Sequence, residues 1–212
     1  MGSAIFSFVQ ETVKKVKSLE QYMQSIYTLQ RIREPFTTSG VEALKQWTGK
    51  ASAKVIYDSN TDEFTADGLF NKVKGKPNVA LVGFTTDGDV FGGFYSVAVT
   101  EQDEEFEDPN IFAFSFESHG RCETPKRFPV KKEWPGKNAC VRLWKIPFNG
   151  FVTFGVDGVG GFWLGNEKSG SFCFNMSCEF EGLEDSTFTG KTGLLGGPPL
   201  FHCTRMVAVQ LA

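Results

Sequence analysis

Two histidines, His119 and His202, and five cysteines, Cys122, Cys140, Cys173, Cys178 and Cys203, are the side chains best suited to nucleophilic or soft-metal chemistry. A Ser-His-Asp or Cys-His mechanism must use one of those two imidazoles. No Gly-x-Ser-x-Gly elbow presents a nucleophilic serine. Cys173, Cys178, His202 and Cys203 could be gathered into a zinc site, but their spacing matches no structural zinc pattern. The adjacent His202 and Cys203 would point to opposite sides of a strand. There is no Cys-x-x-Cys pair and the cysteine count is odd. Reduced, mostly buried thiols in a cytosolic protein are therefore expected. Cys122 is the thiol to watch for redox chemistry, because Arg121 adjoins it and a cation favours the thiolate. The Gly155–Gly161 stretch lacks the Gly-Lys-Ser/Thr ending of a phosphate loop and falls between strands, not before a helix. Asp157 with Asp87 or Asp89 offers carboxylates for calcium, but no EF-hand spacing supports such a site. These readings predict no metal, no cofactor and no enzyme.

Two charged segments and three tryptophans remain as possible contact sites. Glu101 to Asp108 is acidic; it is read as a solvated excursion, with a basic partner or a cation as the sharper alternative. Residues 121–137 carry Arg121, Lys126, Arg127, Lys131, Lys132 and Lys137 beside Phe128 and Trp134. Basic residues among aromatics can grip single-stranded nucleic acid. The chain as a whole carries a formal net charge of -3, so nucleic acid is not the expected partner. Trp134, Trp144 and Trp163 could be platforms for a carbohydrate or small ligand, or could simply fill a core.

The elements that would position these groups are mostly strands. Phe occurs 22 times and Gly 23 times, a composition that favours strands, turns and bulges. With 41% hydrophobic residues, the chain can bury a core without disulfides. From Ser3 to Glu34 the apolar residues recur at steps of three and four, which predicts an amphipathic helix. It could pack on its own domain, pair with a partner helix, or lie on a membrane surface. Residues 1–35 thus form a helix and linker, and residues 36–212 the main domain. A short helix over Val41 to Trp47, capped by Thr38 or Ser39, follows. Strands are expected at Lys54–Tyr57, Val79–Phe84, Val90–Val99, Asn110–Phe116, Ala139–Ile146, Phe151–Val156, Gly161–Leu164, Ser171–Met176 and Cys203–Leu211. Asp67–Val73 reads as another short helix. Parallel crossovers are missing, so the fold class is α+β, mainly β: two antiparallel sheets packed as a sandwich with flanking short helices. No apolar run approaches the roughly 18 residues of a membrane span, and the start lacks a secretory pattern, so a cytoplasmic location is expected.

Several motifs follow one another in an order that resembles the TLDc domain family. Trp47, Lys54 to Ser59 and Asp62 to Lys74 are similar to its opening. Asn78 to Ser96, with an apolar strand, the Asp87-Gly88 turn and Phe91-Gly92-Gly93-Phe94, resembles its most recognisable segment. Asn110–Phe116, the glycine cluster Phe154–Leu164 with Gly158, Gly160 and Gly161, and Gly170-Ser171-Phe172-Cys173 continue it. One departure stands out: Ala208 occupies the place where members usually carry Glu. The resemblance covers about residues 40–212. It implies a two-sheet sandwich without catalytic residues that binds protein partners. Those partners include peripheral subunits of the vacuolar proton ATPase, with a link to oxidative-stress resistance and vacuolar or lysosomal membranes. The signature residues it marks, structural or partner-binding, are Trp47, Gly88, Phe91, Gly92, Gly93, Gly158, Gly160, Gly161, Gly170 and Ser171.

Overall fold

The computed structural model describes residues 10, 12–19, 38–131, 139–145, 150–156, 160–166, 168, 171–190 and 200–212. The chain divides into two compact units, Met1–Pro35 and Phe36–Ala212. In the first unit, residues 12–19 are helical (α1) and exposed, with Val13, Val16 and Leu19 at the surface. The remainder of the expected N-terminal helix lies outside the described residues, apart from Gln10, which is helical.

In the second unit, helix α2 (Thr38–Thr48) leads into β1 (Ala53–Asp58), α3 (Ala66–Val73), β2 (Val79–Thr85) and β3 (Val90–Tyr95). Then come β4 (Glu105–Glu107), β5 (Phe112–Glu117), β6 (Lys126–Pro129), β7 (Cys140–Leu143), β8 (Val152–Val156) and β9 (Gly160–Leu164). Strand β10 (Ser171–Phe174), α4 (Met176–Glu179), β11 (Leu200–Phe201) and β12 (Cys203–Leu211) complete it. The strands form two six-stranded antiparallel sheets. The first runs β1-β12-β2-β3-β5-β6 and the second β11-β10-β9-β8-β7-β4. The model is mainly β with two antiparallel sheets, the class the composition and spacing predict.

Alternation explains the sandwich. Along β3, Phe91 and Tyr95 point to the interior between the sheets, whereas Val90 and Phe94 belong to a separate cluster on the outer face of the first sheet. That outer cluster is covered by α2 through Leu44 and Trp47. Trp47 stacks on Phe116 at 5.9 Å and meets Phe112 edge-on at 6.1 Å. The first sheet is thus buried on both faces, which is why β2 reads as a continuous apolar run (VALVGFT).

Local chemistry sets the ends. Thr38 is already the first residue of α2, so Thr38 and Ser39 belong to its first turn and do not precede it as caps. Gly49, at φ +69, ends that helix. Thr65 caps α3 by accepting from the Gly68 N–H at 3.0 Å. Strand β3 stops at Tyr95, short of the expected Val99. The Ser96 N–H and hydroxyl both donate to Asp108, which also accepts from the Asn110 N–H at 2.9 Å. The acidic stretch is therefore more than a solvated excursion: it holds edge strand β4 and the fully buried Asp108. The basic stretch similarly contains β6, while Trp134 lies outside the described residues. Arg205 of β12 grips Asp58 of β1 with Nε and Nη2 and lies over the Phe84 ring, tying an edge strand to the centre of its sheet.

Candidate functional site

The most concentrated polar chemistry lies beside the β2–β3 hairpin. Gly88 occupies its turn at φ +87 and donates its N–H to the Thr85 carbonyl at 3.1 Å. The next residue, Asp89, donates its own N–H to Thr85 Oγ1 at 3.0 Å. Its side chain is 1% exposed and receives two partners from the segment after β5. His119 Nδ1 lies 2.9 Å from Oδ1, and Arg121 Nη2 donates to the same oxygen. Burying this carboxylate is tolerable because a guanidinium compensates it. Arg121 extends the network: Nε donates to the Thr187 carbonyl at 3.0 Å and Nη2 to the Phe188 carbonyl at 2.7 Å. Phe188 in turn stacks on Phe91 at 4.3 Å. Asp89 and Phe91 therefore hold the 187–188 segment by its polar and apolar sides respectively. The hairpin turn and the 118–121 and 187–190 segments are pinned together, with His119 45% exposed among them.

This arrangement fixes the imidazole through its Nδ1 contact with Asp89. The nearby thiol of Cys122 pairs with Ser118 Oγ at 3.4 Å, and the guanidinium of Arg121 is spent on Asp89, Thr187 and Phe188. All five cysteines are free thiols: Cys178 is exposed, Cys122 partly exposed, and Cys140, Cys173 and Cys203 buried. Burial pushes the thiols of Cys173 and Cys203 upward, Cys203 to about 12, so neither forms thiolate near neutrality. Among the described residues no group of three or more His, Cys, Asp or Glu could hold a metal ion. His202 lies between β11 and β12 and is exposed, whereas Cys203 opens β12 and is buried.

The signature residues take mainly packing positions. A Cβ on Gly92 would overlap the Leu81 carbonyl oxygen, so only glycine lets β2 and β3 pair this closely. Gly93 faces the other way, where a Cβ would come within 2.5 Å of the Phe154 ring of the opposite sheet. Gly160 lies against the Asn175 carbonyl, and Gly161 pairs with Gly155 across β9 and β8. Ser171 is buried and clamps Gly165, accepting its N–H at 2.9 Å and donating to its carbonyl at 3.1 Å. Gly158 and Gly170 lie outside the described residues, as does Asp157. Ala208 is fully buried in the interior, opposite Tyr57 and Leu81, so this position faces the core and not the surface.

The sequence missed the Asp89 cluster because its members are some 30 residues apart in the chain. The only local signal was an acid next to an Asp-Gly turn.

A two-sheet sandwich with one helix-covered face and a pinned loop cluster defines a domain class built around a rigid scaffold. A family model for the TLDc domain matches residues 20–204, and the chain belongs to that family. The match begins before the region of motif resemblance and ends within β12. A comparison with curated protein sequences finds no match. Among the described residues, no helix is long and apolar enough to cross a membrane.

Proposed function

We propose that this TLDc domain is a non-catalytic protein-interaction module that regulates the vacuolar proton ATPase by binding its peripheral subunits, and so contributes to oxidative-stress resistance. The observation that supports this reading is the Asp89 cluster. Its ionic groups are spent on holding three backbone segments in register, and loops held on a rigid scaffold are where binding surfaces concentrate. The module works in the cytoplasm and reaches vacuolar or lysosomal membranes through its partners. It has no turnover and needs no cofactor.

The test is affinity capture from cytosol with the full chain and its His119→Ala variant. The full chain should recover peripheral ATPase subunits. His119→Ala, at a position 45% exposed, should recover fewer of them, with the unfolding midpoint lowered only modestly because Arg121 still compensates Asp89. Capture of other proteins only, with no ATPase subunit, would refute the assignment.

A further inference from the structure

The outer face of the second sheet is organised differently from the hairpin end. Strand register places Phe172, Trp163, Thr153, Arg142 and Glu105 in one lateral row across β10, β9, β8, β7 and β4. The next row is Phe174, Gly161, Gly155, Cys140 and Glu107. Its two central positions have no side chain, so the first row stands beside a trough floored by backbone. Close packing demands those glycines: a Cβ on Gly155 would overlap the Gly160 carbonyl, and one on Gly161 the Phe154 carbonyl. A shallow depression lies here, lined by Glu105, Arg142, Trp144, Thr153 and Trp163 over Gly155 and Cys140.

Each wall of that depression is fixed. Phe172 stacks on Trp163 at 4.2 Å with planes 14° apart. This takes one face of the indole and leaves the other turned toward Thr153. Trp144 stacks on the Arg142 guanidinium, 3.8 Å from ring centroid to Cζ, and its Nε1 donates to Thr153 Oγ1 at 2.6 Å. Thr153 thus keeps its hydroxyl hydrogen to donate. Arg142 Nε is buried with no hydrogen-bond partner among the described residues. Arg142 Nη1 forms an ion pair with Glu105 on the rim at 3.6 Å, too long for a hydrogen bond. Trp163 and Arg142 are two strands apart, about 10 Å, with the small Thr153 between them and the depression opening beside it over Gly155 and Cys140.

We propose that this face is a binding site for a neutral saccharide chain. The indole face of Trp163 supplies an apolar surface for the C–H face of a sugar ring. The Arg142 guanidinium, through Nη1 and not the buried Nε, and the Thr153 hydroxyl donate to ring or hydroxyl oxygens, and Glu105 accepts from hydroxyls. Arg142 and Glu105 cancel in charge, so the site favours a neutral ligand that both donates and accepts. An anion would face Glu105, and an apolar peptide would leave the donors unsatisfied. The chain would run along the row past Trp163 and Thr153, with Trp144 flanking it beside Arg142. This site is separate from the hairpin end invoked for the ATPase, so the two readings stand or fall independently.

The test uses the full chain in affinity electrophoresis and intrinsic fluorescence with malto-, laminari-, cello-, manno- and chito-oligosaccharides at millimolar concentration. At least one class should retard migration and shift the tryptophan emission. Trp163→Ala and Arg142→Gln should each weaken binding about tenfold or more. Thr153→Val, a near-isosteric change, should weaken it while lowering the unfolding midpoint only slightly, through the lost Trp144 hydrogen bond, and keeps the test valid if Trp163→Ala folds poorly. Val55→Ser, on the edge of the first sheet, should leave binding intact. The proposal is overturned if no saccharide class binds, if binding survives Trp163→Ala and Thr153→Val, or if a protein partner protects this row from hydrogen exchange while no saccharide binds.

Discussion

The two sheets treat their outer faces in opposite ways. The first covers its outer face with α2, and the cluster beneath contains Phe94, Phe112 and Phe114 with Val82 and Val207. Among the described residues, nothing covers the Phe172–Glu105 row of the second sheet as α2 covers the first. Its side chains alternate sharply with the interior, so Val141, Leu143, Val152 and Phe154 point inward. Both faces carry aromatic residues. The covered face sets them against one another beneath a helix, and its cations are spent within the fold, Arg127 on the Trp47 carbonyl and Arg205 on Asp58. The open face interleaves them with Arg142, Thr153 and Glu105. Aromatic content alone therefore does not distinguish packing from recognition; the polar groups between the rings do.

Substitutions can break this contrast in a graded way. The largest effect is expected from Gly92→Val on the covered face, where the new side chain would strike the Leu81 backbone. A loss of about 3 kcal/mol or more is expected, enough to leave much of the chain unfolded, as read by urea denaturation. Trp47→Ala removes the helix's main anchor and should cost about 3 kcal/mol, whereas Trp163→Ala on the open face should cost about 1 kcal/mol. Equal costs would mean that the second face is packed like the first.

The interior shared by both sheets gives a pH test. Burial raises Tyr57, Tyr95, Cys173 and Cys203, so the folded state keeps protons that the unfolded chain releases in alkali. Their contribution is complete below the ordinary thiol range and is lost from about pH 8.5 upward, through the value near 12 for Cys203. Unfolding midpoints should fall steadily over that interval. In the native protein at pH 8, Cys178 and Cys122 should react with a thiol reagent well before Cys140, Cys173 and Cys203. Rapid labelling of all five would contradict a closed interior. The smallest effect is expected for Phe174→Ser, at 41% exposure on the open face: within about 0.5 kcal/mol of the parent by thermal unfolding.

What could be read from the sequence follows the same contrast. Strands β2 and β3 were legible because a double-sided apolar run meets an Asp-Gly turn. Helix α3 was legible because Leu69, Phe70 and Val73 fall on one face and are buried. Strands β4 and β6 were not. Glu105-Phe106-Glu107 alternates correctly, but three residues with two charges read as loop, since edge strands carry charge to discourage pairing with other chains. The short α4 and β11 gave too little periodicity. At the hairpin end, the motif marks Gly88 and Phe91, yet Asp89's partners His119 and Arg121 and Phe91's partner Phe188 are assembled only by tertiary contact. Trp144 and Trp163 were singled out as platform or core. Strand register brings Trp163 into one row with Arg142, and stacking on that guanidinium brings Trp144 to the same depression.

One feature of the topology bears on how the domain is made. Strand β12, the farthest along the sequence, lies between β1 and β2 and separates them completely. A ribosome therefore delivers β1 and β2 long before the strand that joins them exists. Until residues 203–211 emerge, β2 keeps one open edge and β1 has no neighbour in its sheet. The nascent chain must wait in a half-built state with a sticky edge, a natural point for chaperone attention. Loss of residues 203–211 would part β1 from β2 and leave β1 without a partner in its sheet.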